Sequence, residues 1–144
     1  MDTIIKVEVY SDGSGTTKTT PGGYGFVVVV DGVSQYEGSG HLEFATNNDC
    51  ELQGAIEGLD SLHYHFDPEE QIEVSLVSDS EIILGWASGE RKFRQEEKIL
   101  KYQQLRNLMA EFKAKTRWVP GHSGEEHNER CDKLANAARL QKDL

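Results

Sequence analysis

Cysteine is scarce: Cys50 and Cys131 are the only two in 144 residues. Two thiols supply neither a disulfide framework nor a zinc quartet, and a reducing, cytoplasmic compartment is expected. No apolar run approaches the roughly 20 residues that cross a bilayer. The first residues lack the basic-then-apolar pattern of a secretion signal, so no membrane partner is expected. Repeats, linkers and low-complexity tracts are missing too, which predicts one domain over residues 1–144, a monomer in the simplest case. A hydrophobic fraction of 37% and a charged fraction of 28% suit a soluble chain with a real core.

Basic residues are nearly absent from the first half. Residues 1–85 hold only Lys6 and Lys18 against 16 Asp and Glu, whereas residues 86–144 hold 13 Lys and Arg against nine acids. The formal net charge of −10 speaks against a nucleic-acid partner. The uneven distribution speaks the other way, since the second half can present a face that holds phosphates. Solvated helix faces account for the same pattern equally well.

The stretch Thr46-Asn47-Asn48-Asp49-Cys50-Glu51-Leu52-Gln53 reads as the opening of an amphipathic helix. Asn48 is a good N-cap, and Glu51 stands three residues later at capping-box spacing. Leu52, Ala55, Ile56, Leu59 and Leu62 come after it at helical intervals, with the helix reaching about His65. Ahead of it, Ile4 to Tyr10 alternates as a strand and runs into a polar turn, Ser11-Asp12-Gly13-Ser14-Gly15. Tyr24–Val30 and Val33–Leu42 are strands two and three, joined by Asp31-Gly32, a strong hairpin signal. Ile72–Ser78 is a fourth strand and Ser80 to about Ala87 a short helix. Glu96–Ala114 is a long helix with Ile99, Tyr102, Leu105, Met109 and Phe112 inward. Arg117–Val119 is a short fifth strand, and Glu126–Gln141 the last helix.

Connection rules turn this order into geometry. Short links make the first three strands antiparallel, and helical crossovers bring strands four and five in parallel to strand one. Asp12 then ends strand one at the edge where the first helix begins with Glu51. Asp79 ends strand four there. The loop Pro120-Gly121-His122-Ser123-Gly124 leaves strand five there, and Asp132 lies in the second turn of the last helix. Ligands bind open sheets at that edge. Crowded carboxylates raise one another's pKa, and a divalent cation relieves the conflict. Oxygen-only ligation suits Mg²⁺ or Mn²⁺. Two such ions cleave phosphodiesters without a cysteine nucleophile or an organic cofactor.

Six segments stand in the order found in one family: Asp12-Gly13-Ser14; Gly22-Gly23-Tyr24-Gly25; Thr46-Asn47-Asn48 with Glu51-Leu52; Ser78-Asp79-Ser80; Trp118-Val119-Pro120-Gly121-His122-Ser123-Gly124; and Asn128-Glu129-Arg130-Cys131-Asp132-Lys133-Leu134-Ala135. From about residue 5 to 140 the chain resembles type 1 ribonuclease H. The resemblance implies an α/β fold with a five-stranded mixed sheet of order 3-2-1-4-5, strand two antiparallel, flanked by helices. It implies metal-dependent endonucleolytic hydrolysis of the RNA strand of an RNA/DNA hybrid, giving 5′-phosphate and 3′-hydroxyl ends. Asp12, Glu51, Asp79 and Asp132 would hold two Mg²⁺ ions, with Mn²⁺ able to substitute. Asp12 would bridge them, Asp132 would serve the water-activating ion, and Glu51 and Asp79 the leaving-group ion. His122 would assist proton transfer or product departure. Ser14, Gly15, Thr46, Asn47 and Asn48 would contact the nucleic acid, where the 2′-hydroxyl tells RNA from DNA.

The sequence departs from many relatives in lacking a long, basic, Trp-rich protrusion; the equivalent segment is Gly85 to Arg94. Arg91, Lys92, Arg94, Lys98 and Lys101 are candidates to replace it in part. Phe44 stands where some relatives place a phosphate-binding arginine. Trp86 and Phe93 either stack on a DNA strand or pack on the long helix. His63 and His65 read as surface residues, and the two thiols as idle. Taken singly, Glu51 is a cap, Asp12-Gly13 a turn, Asp79 a cap for the short helix after it and Asp132 an exposed helix residue. Two other functions compete: a non-catalytic hybrid-binding module on the same fold, and a related nuclease of broader range, double-stranded RNA included. The acid pair Asp-x-Glu of proofreading exonucleases is absent, because Ser14 stands at its second position, and no nucleophile-elbow pattern accompanies His122.

Overall fold

The central strand is longer than its alternation predicts. In the computed structural model, which describes residues 3–142, β1 spans Ile5–Ser14. Ser11 to Ser14, expected as a turn, continue the ladder: Asp12 pairs with Gly25, Gly13 with Tyr24 and Ser14 with Gly23. Helices cover both faces here, so small residues do what apolar alternation does elsewhere. A Cβ on Gly13 would lie 2.4 Å from the Glu51 backbone nitrogen. Glycine is what lets a helix come that close.

On one side β2 (Gly22–Val30) pairs antiparallel with β1 and β3 (Val33–Leu42) antiparallel with β2, and on the other β4 (Ile72–Ser78) and β5 (Lys115–Trp118) add parallel strands, so β2 alone runs against the rest. The order is β3-β2-β1-β4-β5, as expected. At the hairpin, Asp31 (φ 47°) and Gly32 (φ 83°) both take the left-handed backbone of a type I′ turn.

The helices are α1 (Asn47–Asp60), α2 (Leu62–His65), α3 (Glu81–Ser88), α4 (Ile99–Glu111) and α5 (Glu126–Leu140). One sheet face packs Val7, Val9 and Val28 against Leu52, Ile56 and Leu59 of α1 and Leu105 of α4. The other packs Tyr10, Val27, Val29 and Val77 under Cys131 and Leu134 of α5. Burying each such aliphatic side chain contributes about 1.5–3 kcal/mol. Both thiols are buried and unpaired.

Two further sequence expectations need correction, and one open alternative is decided. The N-cap of α1 is Thr46, not Asn48, and Asp49, not Glu51, completes the capping box: Asp49 N–H donates to Thr46 Oγ1 (3.2 Å) and Thr46 N–H to Asp49 Oδ2 (2.9 Å). The Thr-x-x-Asp spacing wins two residues earlier, which releases Glu51 from any capping duty. The long helix from Glu96 splits into a 3₁₀ turn (Glu96–Lys98) and α4; Ile99, at their junction, is exposed, and Leu108 is buried in its stead. Trp86 is buried, its ring edge-on to Phe93 at 4.8 Å, and Phe93 stacks on Tyr102 at 4.5 Å. Of the two readings of that pair, packing on the long helix is the one the structure shows.

Candidate active site

Four elements deliver the expected side chains to one edge. Asp12 comes from β1, Glu51 from the second turn of α1, Asp79 from the residue after β4, and Asp132 from α5. Oxygens of Asp12, Glu51 and Asp79 lie within 4.8 Å of one another. Asp132 belongs to a second group of the same tightness, with His122 and Glu129, and its charge still reaches Asp12.

Backbone spacing makes the convergence possible. With no side chain on Gly13 or Gly54, the first turns of α1 sit directly on β1. Gly121 likewise passes within 2.9 Å, by its absent Cβ, of Asp79 Oδ2. Few donors meet the carboxylates. Gly13 N–H donates to Asp12 Oδ1 (2.9 Å), Asn47 Nδ2 to Glu51 Oε1 (3.4 Å) and Asn128 Nδ2 to Asp79 Oδ2 (3.3 Å). Glu51 Oε2 is buried with no hydrogen-bond partner among the described residues.

The electrostatics reflect this crowding. Burial pushes Asp12 up to about 7, aided by the charges of Asp79 and Asp132 and opposed by the Gly13 N–H. Burial, then the charges of Asp12 and Asp79, hold Glu51 well above the usual carboxylate range. A buried oxygen without a donor, among acids that raise one another, is a poor end state for a protein and a good one for a cation site. The donor set is all oxygen and fits a hard divalent ion.

The expected nucleic-acid contacts are tied to their neighbours. Gly15 N–H donates to Asn47 Oδ1 (3.3 Å), joining the end of β1 to α1. Ser14 Oγ meets Asn136 Oδ1 at 2.7 Å and accepts from Arg139 Nε at 2.8 Å. Thr46 Oγ1 is engaged as the cap, and Asn47 and Asn48 line an open cleft of about 420 Å³ with Glu51 and Asp79. Of the basic residues proposed to replace the protrusion, Lys98 pairs with Asp49 and Lys101 bonds Gln53, both on α1. Arg91, Lys92 and Arg94 are exposed. Phe44 and Leu100, exposed as well, line an apolar groove together with Lys98 and Lys101.

Three residues escaped the sequence reading as site members: Asn128, Glu129 and Arg139. Asn128 and Glu129 lie in a motif that resembles the family, and the three-residue step from Glu129 to Asp132 puts both on one helix face. That spacing was the available signal. Nothing local marks Arg139, which reaches Ser14 across 125 residues of sequence.

Comparisons with known proteins show the family and the fold. The RNase H family model matches residues 5–139. Ribonuclease H of Aeromonas hydrophila subsp. hydrophila is 34% identical, covering 96% of this chain and 93% of that protein. The N-terminal RNase H domain of a Mycobacterium tuberculosis protein shares the fold with a TM-score of 0.80 at 28% identity, covering 95% of each chain. LC11-RNase H1, isolated from compost and solved in complex with an RNA/DNA hybrid, gives 0.82 at 25% identity, covering 94% of this chain and 97% of that one. A family match over nearly the whole length, with relatives above 30% identity, leaves one assignment: the chain belongs to the RNase H family.

Proposed function

We propose that this chain hydrolyses the RNA strand of RNA/DNA hybrids at the Asp12 edge, leaving 5′-phosphate and 3′-hydroxyl ends. The observation that carries the reading is the buried Glu51 Oε2, unpartnered among the described residues, beside Asp12 and Asp79. Asp12, Glu51 and Asp79 would hold one divalent ion, and Asp12 with Asp132 a second. When bound, Mg²⁺, or Mn²⁺ in its place, supplies positive charge to the attacking water and to the departing 3′-oxygen. The protein does the rest. The four carboxylates would fix where that charge sits, because Asp12, Glu51 and Asp132 are mounted on rigid elements and Asp79 directly follows β4. His122, on an exposed loop beside Asp132, accepts or returns a proton as water adds to phosphorus and the P–O3′ bond breaks. Asn47 and Asn48, on the cleft, would offer polar groups to a 2′-hydroxyl and its neighbouring phosphate, and Ser14 and Gly15 would contact the nucleic acid only by exchanging or sharing their bonds to Asn136, Arg139 and Asn47. The LC11 enzyme's complex with a hybrid supports the same substrate here.

Incubation with an end-labelled RNA/DNA hybrid, with and without Mg²⁺, tests this. Cleavage confined to the RNA strand, ending in 5′-phosphate and requiring the metal, is expected. Binding without cleavage would favour the non-catalytic module. Equal cleavage of double-stranded RNA or branched DNA would favour the broader nuclease. In parallel, Mg²⁺ is expected to raise the melting temperature of the wild type and to raise that of Asp12→Asn much less, since a ligand stabilises only the state that binds it. Equal shifts by calorimetry would place the ions elsewhere.

A further inference from the structure

One carboxylate at this edge has no part in the proposed reaction. Glu129 lies on α5 one turn before Asp132. Its Oε1 accepts the Gly124 N–H at 3.3 Å. Ligand atoms of Glu129, His122 and Asp132 all fall within 4.8 Å of one another. The loop it touches is held in an uncommon shape. His122 has φ 51° and Gly124 φ 86°. Glycine takes such a backbone freely, whereas a residue with a Cβ loses about 1–2 kcal/mol there. A conformation of that kind persists where the surroundings over-determine it. Inside the loop, Ser123 Oγ donates to Pro120 O at 2.8 Å. At the loop's start, Val119 N–H donates to Ser78 O at 3.1 Å. Glu129 makes the tie from the loop's far end to α5.

We propose that Glu129 is a positioning residue: its carboxylate fastens the His122 loop to α5 and so sets where the imidazole stands relative to Asp132. The proposal rests on the proton-handling role given to His122 under the proposed function. The plain competing account is that Glu129 is one more acid in a helix first turn, where the helix dipole favours negative charge. Glu126 serves as the control for that account. It also lies in the first turn of α5, but it is exposed and makes no side-chain hydrogen bond among the described residues. The dipole acts on both acids; only Glu129 reaches the loop.

The test compares Glu129→Ala, Glu129→Gln, Glu126→Ala, His122→Ala and the double variant Glu129→Ala/His122→Ala. Steady-state cleavage of an RNA/DNA hybrid gives kcat and KM, and hydrogen exchange of the Gly124 amide in the metal-free protein reports the tie directly. Glu129→Ala is expected to lower kcat about 10-fold with KM within about twofold, and to speed Gly124 exchange about 10-fold. Glu129→Gln keeps an oxygen for the Gly124 N–H and should recover most of both. Glu126→Ala should change neither. Once His122 is absent, removing Glu129 should cost no further kcat, because the two act as one unit. Multiplicative losses in the double variant, unchanged Gly124 exchange in Glu129→Ala, or a Gln variant as impaired as Ala would each overturn the proposal. An unaltered kcat in His122→Ala overturns the reading of His122 instead, and Gly124 exchange then still decides whether Glu129 fastens the loop.

Discussion

Asp12→Asn is expected to cut hybrid cleavage by about 10³-fold or more and, at pH 8 without metal, to raise the melting temperature. The two effects have one cause. Asp12 is buried against Glu51 and Asp79, where its charge is useful only to a bound cation. The asparagine keeps the shape and can still accept the Gly13 N–H, but it removes a negative charge that the empty pocket cannot compensate. An enzyme that stays active, or a variant that melts clearly below the wild type at pH 8, would contradict the shared-pocket account.

The pH dependence comes from the direction of the shift. Asp12 is raised from 3.8 to about 7, so between these values the folded protein holds a proton that the unfolded chain has lost. Stability of the metal-free protein therefore falls as pH rises through that window, at up to about 1.4 kcal/mol per unit. Glu51 is shifted the same way by burial and acts with the same sign. His63, raised by its bond to Glu111, contributes stability present below its ordinary range and lost as pH climbs through its folded value. Glu37, lowered by Arg130, works oppositely at the acid end, where protonation removes its contribution. The variant-minus-wild-type difference cancels His63 and Glu37. It should be near zero at pH 4, where Asp12 is neutral anyway, and reach roughly 5–10 °C at pH 8. A difference independent of pH would show that Asp12→Asn acts through packing and not through charge.

How much of this is legible in the sequence depends on the signal used. Strand order can be read because alternation and connection length are local, and because parallel crossovers have one hand. Convergence of the four acids comes from that order alone. The end of β1 is misread because Asp12-Gly13-Ser14 looks like a turn to any rule based on residue type. The ladder partners, Gly23 to Gly25 on β2, lie about ten residues away, and pairing overrides propensity. The cap of α1 is misplaced for a related reason. Thr46 with Asp49 and Asn48 with Glu51 have the same spacing, and the choice is made by burial of Glu51 beneath the sheet edge, which is tertiary information. Arg139 is missed because its partner, Ser14, is met only after folding, whereas Glu129, five residues from Gly124 and three from Asp132, is missed although its spacing is local.

The same glycines lead to the second large effect. Gly23→Ala is expected to lower the melting temperature by roughly 10 °C and kcat by about 100-fold. A Cβ at Gly23 would lie 2.4 Å from Ala135 O and 2.4 Å from Arg139 N, both backbone atoms of α5. Backbone cannot rotate aside as a flexible side chain can, so α5 must move. Overpacking of this kind costs about 1–3 kcal/mol or more, about 2–4 °C of melting temperature for each kcal/mol in a domain this size. The loss of rate comes from elsewhere. α5 carries Asp132, and a shift of about 1 Å in a reacting group can cost 10² in rate even where the fold survives. Gly32→Ala separates the two effects. Among the described residues its Cβ would meet nothing within 4 Å, but φ is 83° at the far end of the β2–β3 hairpin. That variant should lose about 1–2 kcal/mol of stability from backbone strain and keep its kcat. If Gly23→Ala lost stability but held full kcat at a temperature well below its melting point, the spacing of α5 over β2 would be a matter of packing alone, and Asp132 would not need the position that the glycine gives it.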